Sequence, residues 1–304
     1  MIKCDDTDYV GWKDMSLDVP YTVLIASLNK KYSYEDLRYK DAYVDQYYDL
    51  IISCTTGTNH IDNRDIPLLK LEPEDCKDIY STAEHTIGLM LALLRNTVQS
   101  CGDTEENRDK YIGHTLHGKI LGIVGYGRLG KMVAKYAKCF GMKILTHDKT
   151  DPDQNLEDLL RHSDIVTCHL KLTRDTRHFF SYNEFELING WFINTSRGEI
   201  VNTEALAEAL ENGNVKGASL DVVDKPELLI KPKIYYPIGN DAMVEPKYAA
   251  IYHADTSMEM KYIGPYFTEN LIITPHIGGN TIEDRKATQE IMKRKLIKWL
   301  EVFK

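Results

Sequence analysis

Between Lys119 and Asp224 the chain swings between two hydrophobic rhythms. Short apolar, β-branched runs (KILGIV, MKILTH, DIVTCHL, WFINTS, KGASLDVV) are separated by stretches such as NLEDLLRH, NEFELI and TEALAEALENG, where apolar residues recur every three or four positions. Continuous apolar runs suit strands buried on both faces, and the intervening spacing marks amphipathic helices. Strands alternating with helices predict a doubly wound α/β domain, a parallel sheet with helices on both faces. A further apolar run, NLIIT, begins at Asn270 and stops at Pro275, where a histidine and two glycines follow at once.

The first part of the chain is less regular. YTVLIAS (Tyr21 to Ser27) and YDLIISC (Tyr48 to Cys54) predict strands of a smaller α/β lobe, and no strand is evident before the first of them. STAEHTIGLMLALLRNTVQSC predicts one long helix leading into the sheet domain. A last helix is expected from Thr281 to Phe303, with Thr281 and Asp284 as a capping-box-like start, packing back on the first lobe. A chain of 304 residues exceeds one average domain. The expected division is 1–80 plus 281–304 for the smaller lobe and 81–280 for the sheet domain, two crossings that suit a hinged cleft.

Charge and composition narrow the function. With 37 Lys and Arg against 46 Asp and Glu, the net charge of −9 opposes a nucleic-acid partner. The basic run Lys286 to Leu300 reads as the solvated face of the last helix. Six cysteines show no C-x-x-C pair and no Cys/His cluster, so neither a disulfide framework nor a metal site is expected. The longest apolar stretches, such as TIGLMLALL, fall short of the roughly 18 to 20 residues that cross a bilayer. Acidic residues near the N-terminus do not suit a signal peptide, so a cytoplasmic protein without a membrane partner is expected.

The most specific local signal is GIVGYGRLGKMVAKYAKCFGMKILTHDK. Gly125, Gly127 and Gly130 form G-x-G-x-x-G between an apolar strand and a helix, with Arg128 and Leu129 in the variable places. The first glycine permits a tight turn, the second admits a pyrophosphate, and the third lets the helix pack on the strand. Free N–H groups at the helix start then receive the anion. Asp148 follows Gly125 by 23 positions, at the end of the next strand, where a carboxylate accepts from both ribose hydroxyls and repels a 2′-phosphate. NAD is therefore favoured over NADP, with Lys149 beside Asp148 as the feature that pulls the other way.

Taken with CTTGTNHID, STAEHTIGLMLALLRN, LTRDT, INTSRGEIVNTEALAEALENGNVKGASLDV and NLIITPHIGG, in this order, the chain resembles the D-isomer-specific 2-hydroxyacid dehydrogenase family over most of its length. The resemblance implies an NAD lobe between the halves of a smaller flavodoxin-like substrate lobe, a homodimer, and a catalytic trio of arginine, glutamate and histidine. The arginine of NTSRG falls on Arg197 and the histidine of TPH on His276. Reducing a 2-oxo acid needs a proton for the carbonyl oxygen and a cation for the carboxylate, which an imidazole and a planar guanidinium supply. The family's glutamate lies five residues after the aspartate of LDV, but here that place is Pro226; Glu227 stands one step later, and Glu245 of DAMVEP is the alternative.

By the same resemblance, Thr56, Gly57 and Thr58 cradle the substrate carboxylate together with Arg197, Asp221 sits by the nicotinamide amide, and Thr195 and His276 belong to the cofactor pocket. Lys171 replaces the usual proline of HLKLTRDT. The stretch from Lys225 to Glu269, rich in tyrosine, is longer than most members have, which suits a lid or a subunit contact. The implied partner is a small 2-hydroxy or 2-oxo acid. A non-catalytic NAD-binding scaffold and a dehydrogenase of phosphite or formate stay open as alternatives.

Overall fold

A computed structural model describes residues 2–4, 23–26, 33, 38–40, 45–58, 61–150, 155–229 and 270–302. The chain divides into two compact units, Met1–Ile79 with Asn280–Lys304, and Tyr80–Gly279.

In the first unit, β1 (Ile2–Cys4), β2 (Val23–Ala26), the antiparallel hairpin β3 (Arg38–Lys40) and β4 (Asp45–Tyr47), β5 (Leu50–Ser53) and β6 (Leu68–Lys70) follow one another. The main sheet has the order β1-β2-β5-β6, with every pair parallel. Alternate side chains of β2 and β5 serve two different cores, which is why both runs are apolar throughout. Val23, Ile25, Leu50 and Ile52 meet Met292, Leu296 and Leu300 of the C-terminal helix (Ile282–Val302), while Leu24, Ala26 and Ile51 meet Tyr48, Ile61 and Ile66. The helix residues are spaced by four, so they form one stripe. Lys295, on the same helix, donates to the Lys70 carbonyl at 3.0 Å and pairs with the Asp75 carboxylate. At the helix start the Asp284 N–H donates to the Thr281 hydroxyl at 3.2 Å. β1 corrects the sequence reading: a strand does precede YTVLIAS, but its three residues are too short to register as a pattern.

The second unit opens with the helix Ser81–Leu94, which ends earlier than expected. Asn96 adopts a left-handed conformation (φ 51°), and a separate short turn of helix, Thr97–Ser100, follows. Asparagine tolerates that conformation better than most residues, so it stops the helix without a glycine. The sheet comprises β7 (Ile120–Val124), β8 (Lys143–His147), β9 (Ile165–Cys168), β10 (Gly190–Asn194), β11 (Val215–Leu220) and β12 (Leu271–Ile273), in the order β12-β11-β10-β9-β7-β8. All five pairings are parallel. Successive residues of the central strands enter opposite cores. Val166 and Phe192 join Phe180 and Phe185 on one face, while Ile165 and Ile193 join Met90, Leu94 and Val133 on the other. Asn155 and Asn202 cap the helices Leu156–His162 and Thr203–Asn212 through their side-chain oxygens. A short turn at Pro226–Leu228 follows β11. The rest of the tyrosine-rich stretch, residues 230–269 with Glu245, lies outside the described residues.

Candidate functional site

The strand order sets the site. From β7 the chain first adds β8 on one side and then crosses to add β9 on the other, so the turns after β7 and β9 diverge and leave a crevice at the carboxyl ends of the strands. Gly125 occupies the turn after β7 at φ +96°, and a Cβ there would lie 2.7 Å from the backbone of His169, in the turn after β9. A Cβ on Gly130 would stand 2.2 Å from the Gly125 carbonyl oxygen, so the helix Arg128–Cys139 closes onto its strand only without a side chain at this point. Gly127 differs. Nothing lies within 4 Å of a Cβ built on it, and it is the N-cap of that helix. Open space at the start of this helix, with no acidic residue in the first turn, fits the pyrophosphate of a dinucleotide.

Asp148 follows β8 beside this turn. Its Oδ2 accepts from the Tyr126 N–H at 2.9 Å, and its Oδ1 accepts from the N–H and hydroxyl of Thr150 at 3.1 and 2.8 Å. The Thr150 N–H, more than any other group that favours ionisation, holds this carboxyl below its usual range, so it is charged at neutral pH. Arg128 lies along its own helix with a guanidinium nitrogen 3.7 Å from Met132 Sδ, and Leu129 packs against the core.

A second group of residues gathers at the carboxyl ends of β10, β11 and β12. Asn194, wholly buried, shapes the loop after β10: its Oδ1 accepts from the N–H and hydroxyl of Ser196 at 3.0 and 2.7 Å, and its Nδ2 donates to the Arg197 carbonyl at 3.0 Å. The Thr195 hydroxyl is turned inward, 2.8 Å from the Thr86 hydroxyl. Arg197 donates through Nη1 to the Ser196 carbonyl at 2.6 Å. Burial lowers its pKa, but from a value so high that the guanidinium stays charged.

His276 follows β12 with φ +55°, a conformation that a non-glycine residue keeps only when its surroundings hold it. Asp221 is what holds it. The His276 N–H donates to the Asp221 carbonyl at 2.9 Å and to the Thr274 carbonyl at 3.0 Å. The Asp221 carboxylate, 2% exposed, accepts from the Thr274 hydroxyl at 2.6 Å, the Ile277 N–H at 2.9 Å and the Gly278 N–H at 2.8 Å. Desolvation opposes its charge, but a hydrogen bond from His85, followed by these donors, outweighs it and the carboxyl lies below its usual range. Partial desolvation, followed by the Arg197 cation, lowers the proton affinity of the His276 imidazole, and the Asp221 carboxylate works against both. Arg197, Asp221 and His276 thus share one electrostatic neighbourhood.

The carboxylate expected to serve His276 is not among the described side chains. Glu227 has its backbone in the Pro226–Leu228 turn, and Glu245 falls in residues 230–269. Thr56, Gly57 and Thr58 form the loop after β5 of the other unit. There the Thr55, Gly57 and Thr58 carbonyls are taken by Leu71 N–H, the Thr55 hydroxyl and Ile61 N–H, while among the described residues the amides of 56, 57 and 58 meet no acceptor. Such a loop presents donors to an anion.

Sequence reasoning assigned no role to His85, whose Nε2 lies 3.3 Å from Asp221 Oδ1 and 3.1 Å from Thr274 Oγ1. It also passed over His169, in the turn facing Gly125. Its Nε2 is 3.0 Å from the Thr167 hydroxyl, its Nδ1 is buried without a partner among the described residues, and burial pushes its pKa down to about 4. Among the described residues no group of three or more His, Cys, Asp or Glu could hold a metal ion, and no helix is long and apolar enough to cross a membrane.

A doubly wound parallel sheet with a glycine turn at its switch point and an ionised carboxylate after the second strand defines an α/β dinucleotide-binding protein. Residues 87–278 match the family model described as D-isomer specific 2-hydroxyacid dehydrogenase, NAD binding domain. The chain belongs to that family, and its second unit carries the NAD-binding domain. A glyoxylate reductase of Thermococcus litoralis is 32% identical over 239 residues, which cover 71% of this chain and 62% of the relative. A D-3-phosphoglycerate dehydrogenase of Methanocaldococcus jannaschii is 31% identical over 236 residues, 72% of this chain and 39% of the relative. The matched part of the chain therefore spans less than two thirds of either relative. Among solved structures, D-lactate dehydrogenase from Aquifex aeolicus, complexed with NAD and lactic acid, superposes with a TM-score of 0.62 at 25% identity, covering 93% of this chain and 82% of that one.

Proposed function

We propose that the protein is a cytoplasmic, homodimeric NAD-dependent oxidoreductase that interconverts a small D-2-hydroxy acid and its 2-oxo acid. One observation carries the reading: a cation, Arg197, and an imidazole, His276, share an electrostatic neighbourhood at the carboxyl ends of strands in the NAD-binding unit. The nicotinamide, when bound, exchanges a hydride with the substrate's second carbon. Everything else falls to side chains of this chain. The glycine turn of Gly125, Gly127 and Gly130, with Arg128 and Leu129 in its variable places, would receive the pyrophosphate, Asp148 would accept from the ribose hydroxyls, and Thr195 and Asp221 would border the nicotinamide. Arg197 holds the carboxylate, and its planar fork orients the carbonyl.

His276 gives a proton to the carbonyl oxygen during reduction and takes it back from the hydroxyl during oxidation. Its lowered proton affinity leaves it neutral in the free enzyme at pH 7, the form a base requires. A bound substrate carboxylate offsets the Arg197 charge and raises that affinity, which prepares the imidazole to act as an acid. Glu227, or Glu245 in its place, supplies the carboxylate that keeps the protonated ring in position.

Loss of NADH absorbance with glyoxylate, pyruvate and hydroxypyruvate tests the reading. Turnover of at least one is expected. Reduction of NAD by phosphite or formate alone would move the protein to another substrate class, and NADH binding without any turnover would make it a scaffold.

A further inference from the structure

His85 lies on the helix Ser81–Leu94, far from the Thr274–Gly278 turn in sequence, yet its Nε2 approaches Thr274 Oγ1 at 3.1 Å and Asp221 Oδ1 at 3.3 Å. The hydrogen assignments follow from the neighbours. An ionised carboxylate can only accept, so at 2.6 Å the Thr274 hydroxyl gives its proton to Asp221 Oδ1. With that proton used, Thr274 Oγ1 faces the imidazole as an acceptor, as does Asp221 Oδ1. Nε2 therefore carries a hydrogen and shares it between the two oxygens. The ring is also partly enclosed. A Cβ on Gly278 would come within 3.3 Å of His85 Cδ2 and 2.8 Å of Asp221 Oδ2, so Gly278 leaves the room in which imidazole and carboxylate meet.

We propose that His85 is a positioning residue: its Nε2–H anchors the Asp221–Thr274 pair that fixes the left-handed backbone at His276, and it draws off part of the carboxylate charge that faces the His276 ring. The proposal rests on the catalytic reading of His276 given above. The charged and titratable groups facing His276 among the described residues of this unit are Arg197, from the loop after β10, and Asp221, at the end of β11. His85 acts through the second. Removing its N–H leaves Asp221 one donor short, makes the potential at His276 more negative, and raises the proton affinity of that ring.

The test uses the full chain with NADH but no substrate, with NMR titration of the His276 imidazole in the native protein, His85→Gln and His85→Met. Glutamine keeps an N–H on a side chain of similar reach; methionine fills the space without one. His85→Met is expected to raise the His276 midpoint by about 0.5 to 1 pH unit and to lower kcat about tenfold, the scale on which orienting partners of a functional histidine act. NADH affinity should stay within about twofold, because the glycine turn is untouched, and His85→Gln should return the midpoint toward the native value. A midpoint that moves in neither variant overturns the proposal. So does nitrogen-detected NMR of the native protein if it finds the His85 hydrogen on Nδ1, a result that needs no variant to fold. The titration requires no turnover, so a failure here is separate from a failure of the catalytic reading, which shows as full activity in a His276 variant.

Discussion

Arg197 is itself a chemical lever at the scale of single residues, because its cation lowers the proton affinity of His276. Replacing it by glutamine removes that effect, so the His276 midpoint should rise; the NMR titration reads the shift, and a midpoint that falls or stays put contradicts the arrangement. Arg197→Lys should keep most of the charge effect yet lose turnover, since one ammonium does not reproduce a two-pronged contact. In the native protein the depressed value means that His276 stays neutral to a lower pH than an ordinary histidine. Oxidation of a 2-hydroxy acid, which needs the neutral ring, should hold its kcat/KM as pH falls through about 6.5 and decline only below. Arg197 and His276 were found in the sequence through the family resemblance, on the motifs NTSRG and TPH, each of which closes an apolar run. His85 was not: its partners Asp221 and Thr274 come from other strands, the second 189 positions away, and a lone histidine on an apolar helix looks like any other.

Among the elements, the glycine turn separates folding from binding, because its three glycines are needed for different reasons. Gly130→Ala places a methyl 2.2 Å from the Gly125 carbonyl and should cost about 1–3 kcal/mol, read by denaturant unfolding, as well as NADH affinity. Gly127→Ala meets nothing within 4 Å and has an ordinary φ of −76°, so stability should hardly change while NADH affinity drops, because the methyl takes the room left for the pyrophosphate. Equal losses of stability in the two variants would refute this division. Asn194→Leu tests the loop that presents Arg197. It leaves the buried Ser196 N–H and the Arg197 carbonyl without their partner, at about 1–3 kcal/mol for each unsatisfied group. The order of strands and helices in this unit could be read from the spacing of apolar residues, since strands buried on both faces leave unbroken apolar runs. β1 and the break at Asn96 could not, because three residues carry no periodicity and a single left-handed asparagine leaves the pattern on either side intact.

For the whole molecule, the chain returns to its first unit after leaving the second, and the C-terminal helix completes the core of β2 and β5. Lys295 anchors that helix to Asp75, whose carboxyl is held below its usual range; burial works against this, and the Lys295 hydrogen bond is the main cause that outweighs it. A depressed carboxyl stabilises the fold above its unfolded value of about 3.9, and the contribution disappears as pH falls through the lower folded value. Acid unfolding of the native protein should therefore retain a component below about pH 4 that Asp75→Asn lacks. This link joins ends of the chain that only folding brings together, so it could not be seen in the sequence, although the apolar stripe of the helix could.

The central claim is that His276 moves a proton during hydride exchange in the NAD-binding unit. It is tested most directly by measuring, on the same preparations of native protein and His276→Ala, both NADH affinity and turnover of a 2-oxo acid. The expected result is NADH affinity within about twofold and turnover lower by about 100- to 10,000-fold. A His276→Ala protein that turns over as fast as the native one, or that loses NADH binding along with activity, would contradict it.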